Sequence, residues 1–294
     1  MHLSACTLNG NNAHSGGALA ATTHGKVYLD FSDIDSNSAL HGGGIHCKEA
    51  YISANNSYVV NSTRGGGIYL NQTSAQLRSC LIADNAGSGI VAIQSDALPK
   101  NCTIVRNNAF RDAAVVCSTS TVSLEHTIVA FNTGGEGFYV DESSPLFGLY
   151  CCNLYGNEGG DWVGPIADFA GVLGNFSLDP LFCDTSGANY YIASNSPCAP
   201  EFSSCASLTG ALGVGCPAIY LCGDADGNDE IDIDDVIYLL DYVFGDGAAP
   251  APFEAGDADC SGDVDIDDVV YLVMHIFAGG HLPCDTDGDG VPDC

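Results

Sequence analysis

The sequence predicts a mainly β chain: a solenoid of stacked parallel coils over residues 1–220, followed by a small α-helical, cation-binding domain. Two observations carry this. Asparagine recurs at a near-constant period through the first part, and two copies of an acidic loop plus an amphipathic segment fill the second. Charge marks the boundary between them. Of 37 acidic residues, 20 lie from Leu221 onward, where there is no Lys or Arg; all 7 bases belong to residues 1–220.

The asparagine column reads Asn12, Asn37, Asn61, Asn85, Asn108, Asn132 and Asn157, with spacings of 23 to 25. Ordinary loops do not keep register over seven repeats. A second column, Gly17, Gly44, Gly67, Gly89 and Gly137, leads into strand starts at Ala18, Ile45, Ile68, Ile90 and Phe138, and Val115 continues it without glycine. A third precedes the asparagines by about three residues at Ile34, Tyr58, Ile82, Val105, Val129 and Leu154, with Ser32, Asn56, Cys80, Thr103, Thr127 and Cys152 two residues earlier. A repeat of about 24 residues made of short strands cannot bury a core alone, so the repeats must stack. Seven coils at ~4.8 Å per strand then span roughly 34 Å. Stacked asparagines are expected to bond along the column at one corner, and glycine to supply positive φ at another.

The stretches HGGGIHC, RGGGIYL, CTIVRNN and HTIVAFN, with the later LDPLFCD, NYYIASNSPC and LTGALGVGC, resemble the coils and closing segment of pectate-lyase-like right-handed parallel β-helix proteins. That resemblance covers residues 1–215 and implies the fold; the architecture hosts lyases, hydrolases and adhesins alike, so it does not imply an activity. Nothing precedes Cys6 to cap a first coil, and a chain extending further upstream is expected.

Residues 223–244 and 256–277 align without a gap at an offset of 33, with 12 of 22 positions identical. Each copy opens with oxygen donors at loop positions 1, 3, 5, 9 and 12: Asp224, Asp226, Asn228, Asp232 and Asp235, then Asp257, Asp259, Ser261, Asp265 and Asp268. Position 7 offers a backbone carbonyl, at Glu230 and Asp263. Ca2+ is a hard cation taking six to eight oxygens, and so many carboxylates in one short loop repel one another without a cation. Aspartate at position 12 and the lack of a preceding helix resemble a type I dockerin over residues 222–283. The resemblance implies an extracellular protein whose partner is a cohesin-like module, touched by Ile233 and Asp234 and by Ile266 and Asp267. Ile233 and Ile266 are open to a second reading as core. Position 6 is Asp229 in the first loop and Gly262 in the second, so weaker calcium binding is expected in the first. After each loop, Val236, Leu239, Leu240 and Val243, and Val269, Leu272, Val273 and Ile276, follow helical spacing and are expected to pack the two helices together. Residues 284–294 look like a truncated thrombospondin type 3 calcium segment, with Asp285, Asp287, Asp289 and Asp293 as donors. Cys284 pairs either with Cys222 or with Cys294 in this reading.

Fifteen cysteines point to secretion, and the odd count leaves at least one unpaired within the chain. A formal net charge of −30 argues against nucleic acid as a partner, and no apolar run is long enough to span a membrane. For chemistry on the coils, Asp33 and Asp35 form an i, i+2 carboxylate pair on one strand, while Lys48, Arg64, Arg78, Arg106 and His126 fall on other coils, with no catalytic signature among them. The favoured function is therefore a dockerin-bearing β-helix that presents a surface to polysaccharide or cell wall. The alternative is a polysaccharide lyase or glycoside hydrolase targeted by the same module.

Overall fold

A computed structural model describes residues 1–110, 112–144, 148–228 and 230–284, and the chain divides into two compact units at Ala218/Ile219. The coils of the first unit form three parallel sheets, and a small mixed sheet of Phe182–Asp184, Asn189–Ala193 and Val214–Cys216 lies in the closing segment. The first sheet runs from His2–Ser4 through Lys26–Asp30, Tyr51–Asn55, Ser74–Arg78, Asp96–Lys100 and Thr121–Glu125 to Gly148–Tyr150. The second runs from Thr7–Asn9 through Asp33–Asp35, Tyr58–Val60, Leu81–Ala83, Thr103–Val105 and Ile128–Ala130 to Asn153–Tyr155. The third comprises Leu19–Thr22, Ile45–Lys48, Ile68–Asn71, Ile90–Ile93, Ala113–Ser118 and Glu136–Val140. Strands alternate a buried with an exposed residue, so each coil sends one row of aliphatic side chains inward to stack on the next.

The corners follow one rule. A residue with left-handed backbone faces out, and the next residue turns a buried polar atom toward the neighbouring coil. At the corner between the first and second sheets the outward residues are Phe31, Asn56, Ser79, Asn101, His126 and Cys151, with φ between +47° and +53°. The buried residues after them include Ser32 and Ser57, whose hydroxyls accept from the N–H of Cys6 (3.3 Å) and Ser32 (3.1 Å), and Thr127, which accepts from Cys102 N–H (3.3 Å). A positive φ at a non-glycine residue costs about 1–3 kcal/mol and persists only where surroundings over-determine it. The ladder of corner hydrogen bonds does so here.

The asparagine ladder stands one residue away from the expected column in three coils. Asn11 bonds Asn37, and a second run goes Asn85, Asn107, Asn132 and Asn157 and ends on Asp161; between them Ser62 joins only through its backbone N–H to Asn85 Oδ1 (3.0 Å), its buried hydroxyl having no partner. Asn12, Asn61 and Asn108 are exposed. The slip has a physical origin: coils vary from 22 to 26 residues, and each misplaced asparagine sits beside a second small polar residue, so only the bonds to the neighbouring coil distinguish them. The same variation moves the inward column of the second sheet to Val59 and Ile104 in place of Tyr58 and Val105, the third-sheet start to Leu19 in place of Ala18, and the first corner to Ser57 and Cys102 in place of Asn56 and Thr103. Gly44, Gly67, Gly89 and Gly137 do not adopt positive φ either. They are needed for space: a Cβ on Gly67 would lie 2.7 Å from the Gly89 carbonyl oxygen, and one on Gly137 would lie 2.9 Å from Asn157 Nδ2.

After the last coil, a short 3-10 turn, Gly164–Phe169, buries Ile166 against the core together with Trp162 and Phe169. The chain then covers the outer face of the second sheet. Phe182, Tyr190, Ile192 and Cys198 pack on Leu81, Ala83, Val105, Ile128 and Ala130, which is why Leu81–Ala83, Thr103–Val105 and Ile128–Ala130 are buried on both faces. Gly210 N–H donates to His126 O (2.8 Å) and Ala211 N–H to Thr103 Oγ1 (2.9 Å). Disulfides Cys151–Cys205 and Cys183–Cys216 tie the segment down.

The second unit contains two helices, α1 (Ile233–Phe244) and α2 (Ile266–Ala278), whose Val236, Leu239, Val269 and Leu272 form a small core with Ala225 and Ala258. Leu240 and Val273, expected in that core, are exposed instead. Four large aliphatic residues fill so short an interface, which leaves these two on the rim. Among the described residues no helix is long and apolar enough to cross a membrane.

Candidate metal centres

Both acidic loops are wound by their own carboxylates. Asp232 N-caps α1, its Oδ1 accepting Asp234 N–H (2.7 Å), while Asp235 Oδ2 reaches back to accept Asp232 N–H (2.8 Å). Asp265 and Asp268 repeat this at α2 at 2.8 and 2.7 Å. Such a capping box satisfies donors a helix start otherwise leaves unpaired, and the acidic first turns suit the positive end of the helix dipole. The other oxygen of Asp235 accepts Asp226 N–H, and that of Asp268 accepts Asp259 N–H, both at 3.2 Å. The loops thereby close on the helices they precede.

This closure gathers the carboxylates of Asp224, Asp226 and Asp235, and separately of Asp257, Asp259 and Asp268, each set with one oxygen per residue lying within 4.8 Å of the others. These are loop positions 1, 3 and 12 of both copies. Asp235 and Asp268 are fully buried. Burial, and then the neighbouring Asp259 and Asp257 charges, push the Asp268 carboxyl up to about 6 against the hydrogen bonds it accepts; burial raises Asp235 in the same direction. Clustered all-oxygen donors, two of each three buried, in a unit with no Lys or Arg fit a hard divalent cation. The position-5 residues stand beside each cluster: Asn228 donates to Asp226 Oδ2 (3.1 Å), and Ser261 Oγ donates to the Asp263 carbonyl (3.3 Å), which is the position-7 oxygen of that loop. The position-9 residues Asp232 and Asp265 serve as helix caps and lie outside the triads, while Glu230 hydrogen-bonds through its N–H to Asn228 Oδ1 (2.8 Å). Asp229 and the third candidate set, Asp285, Asp287, Asp289 and Asp293, lie outside the described residues.

Cys284 pairs with neither expected cysteine. It bonds Cys260, at position 4 of the second loop, while Cys222 takes part in a different disulfide. The chain after α2 folds back onto the loop, so Cys284 meets the loop before it meets either end of the unit.

The helices also leave apolar side chains uncovered at matching places: Ile233, Ile237, Leu240 and Phe244 on α1, and Ile266, Val270, Val273 and Phe277 on α2. Ile233 and Ile266 are 44% and 41% exposed, which removes them from the core. Most of this pattern was missed from sequence. Its signal was present in helices apolar over more than one face, with the extra positions duplicated at the offset of 33.

On the coils, Asp33 and Asp35 flank buried Ile34 and so face outward together. Asp35 accepts from Asn61 Nδ2 (2.9 Å), Ser36 Oγ (2.9 Å) and Asn9 Nδ2 (3.4 Å), ties that hold the corner. Among the described residues no ion pair joins either aspartate to a base. Arg106 pairs with Asp84 (3.0 Å), and His126 stands 3.9 Å from Glu125, itself bound to Lys100 (2.6 Å). Lys48 belongs to the third sheet, Arg64 to the loop leading into it, and Arg78 to the first sheet.

A family model described as the right handed beta helix region matches residues 2–163, more than half of the chain. The chain belongs to the right-handed β-helix family. The matched stretch holds every strand of the three coil sheets and stops short of the closing segment and of the acidic unit. No curated protein and no solved structure matches the chain.

Proposed function

We propose that the protein is an extracellular, calcium-dependent docking protein whose C-terminal unit seats on a cohesin-like partner and carries a β-helix that meets polysaccharide. The observation that carries this is the duplication itself. Two copies of one loop each gather three carboxylates, and the helices that follow expose the same apolar positions. Asp224, Asp226 and Asp235 would hold one Ca2+ and Asp257, Asp259 and Asp268 the other, with Asn228, Ser261 and the Glu230 and Asp263 carbonyls as further oxygens. The bound ion neutralises the clusters. Ile233 and Asp234, and Ile266 and Asp267, stand at the start of each exposed helix face, where a partner can be met through either copy. Three disulfides between described cysteines agree with an oxidising, extracellular setting. The outer face of the second sheet is covered, and on the first sheet a groove lined by Lys26, Tyr51, Gln72, Ser74, Gln94 and Asp96 crosses four coils, which favours that sheet as the face that meets a glycan.

Docking is tested by calcium-dependent capture of a cohesin-bearing partner from a secreted fraction. Ile237→Asp or Val270→Asp alone is expected to leave capture largely intact, and the two together, with Asp234→Ala and Asp267→Ala, to abolish it. Capture that survives chelation, or that is lost with one half alone, counts against two equivalent docking faces.

The unit's pH dependence follows from Asp268. A carboxyl with a folded pKa near 6 binds its proton more tightly folded than unfolded, so in chelator the unit is expected to lose about 3 kcal/mol as pH rises from about 4 to above 6. With calcium the sign reverses, because ion and proton compete for the same oxygen: affinity is expected to fall below pH 6. Helix signal in chelator that is unchanged or greater at pH 7 than at pH 4.5 contradicts this.

A further inference from the structure

We propose that the Cys260–Cys284 disulfide presets the second acidic loop for its ion, so that this loop fills before the first; the inference rests on the calcium reading above. The two copies are equivalent at the offset of 33 beyond the loops themselves. The Tyr238 hydroxyl donates to Ala249 O (3.3 Å) and the Tyr271 hydroxyl to Leu282 O (3.1 Å), so the chain leaving each helix returns along the same path. Among the differences between the loops, position 4 is the one that carries a covalent tie. Both loops need positive φ there, Gly227 at +78° and Cys260 at +56°. Glycine reaches that conformation freely but is equally free to leave it, and ordering it on ion binding carries a larger entropic loss. Cys260 is held there by its bond to Cys284.

The staple is not the only restraint Cys284 brings. Its backbone N–H donates to Ala258 O (2.7 Å), and its sulfur lies 3.1 Å from the Asp257 carbonyl oxygen. Residues 257, 258 and 260 are thus fixed on either side of the ligand residues Asp257 and Asp259. The equivalents of Cys260 and Cys284 in the first copy are Gly227 and Ala251, which cannot form the bond. Cys260 and Cys284 are positioning residues: they touch no ion and act by holding the backbone whose carboxylates do. This cause is separate from the Asp229-for-Gly262 difference, and a variant can isolate it.

Calcium titration calorimetry on the full chain tests it. With Asp285, Asp287, Asp289 and Asp293 changed to Asn to silence the tail, the protein is expected to bind in two steps at least tenfold apart, with Asp257→Ala removing the tighter and Asp224→Ala the weaker. In the Asp224→Ala background, Cys260→Ser with Cys284→Ser is expected to weaken the remaining site about tenfold while helix content at saturating calcium is unchanged. In the Asp257→Ala background, Gly227→Cys with Ala251→Cys transfers the staple to the first loop, where a Cβ on Gly227 meets nothing within 4 Å, and is expected to tighten that site. Equal affinities, first-loop filling first, or a second-loop affinity indifferent to the serine pair overturns the inference. Should the serine pair fail to fold, the transferred staple decides: a disulfide formed with no gain in first-loop affinity overturns it. Absence of any calcium binding by the unmodified chain overturns the reading of the loops themselves.

Discussion

Asn107→Ala is expected to destabilise the β-helix by roughly 3–5 kcal/mol, while Asn108→Ala, one residue away, is expected to change stability by less than about 0.5 kcal/mol. Asn107 is fully buried, and its amide nitrogen donates to Ile82 O (3.0 Å), Val105 O (3.2 Å) and Asn132 Oδ1 (3.0 Å). Its oxygen accepts from the backbone N–H (3.2 Å) and the side chain (2.9 Å) of Asn85. Alanine would leave several buried donors and acceptors unpaired, at about 1–3 kcal/mol each. Asn108 is exposed, and its side chain lies outside the ladder. Denaturant midpoints of the two variants, measured side by side, check the register of the ladder; equal midpoints contradict it.

Period, strand content and the stacking of coils could be read because a 24-residue unit has no other way to bury its apolar face. Register could not be read at Asn12, Asn61 and Asn108, because each has a small polar neighbour equally able to turn inward, and coil lengths that vary by four residues remove the ruler. The glycines had a cause that composition does not show: crowding against Ile104, Val59 and the Asn157 amide. The cover over the second sheet was visible only as a closing segment, since nothing local says which face Phe182, Tyr190 and Ile192 will meet. In the acidic unit, positions 1, 3 and 12 were legible because loop spacing alone dictates convergence. The role of Cys260 was not, because it depends on where the chain returns after α2.

The second large effect concerns the cation. Three carboxylates within 4.8 Å repel by about 3 kcal/mol per pair at an effective dielectric near 20, and each loop holds three such pairs. A core of four large aliphatic side chains is too small to hold two such clusters closed at neutral pH. Chelation at pH 7.5 is therefore expected to remove the helical signal of α1 and α2 from the circular dichroism of the full chain and to leave its β signal in place. Readdition of Ca2+ restores it, since an ion at ~100 times Kd contributes about 2.7 kcal/mol per site. Asp235→Ala with Asp268→Ala is expected to mimic chelation, with a further loss from the two broken capping boxes of about 1 kcal/mol each.

The most direct measurement is the stoichiometry of calcium bound by the full chain with Asp285, Asp287, Asp289 and Asp293 changed to Asn, determined by equilibrium dialysis at pH 7.5 so that the acidic tail does not contribute. Two ions per chain, falling to one with Asp224→Ala or Asp257→Ala alone and to none with both, is the expected result. Fewer than two ions, or ions that persist in the double variant, would contradict the assignment of both centres.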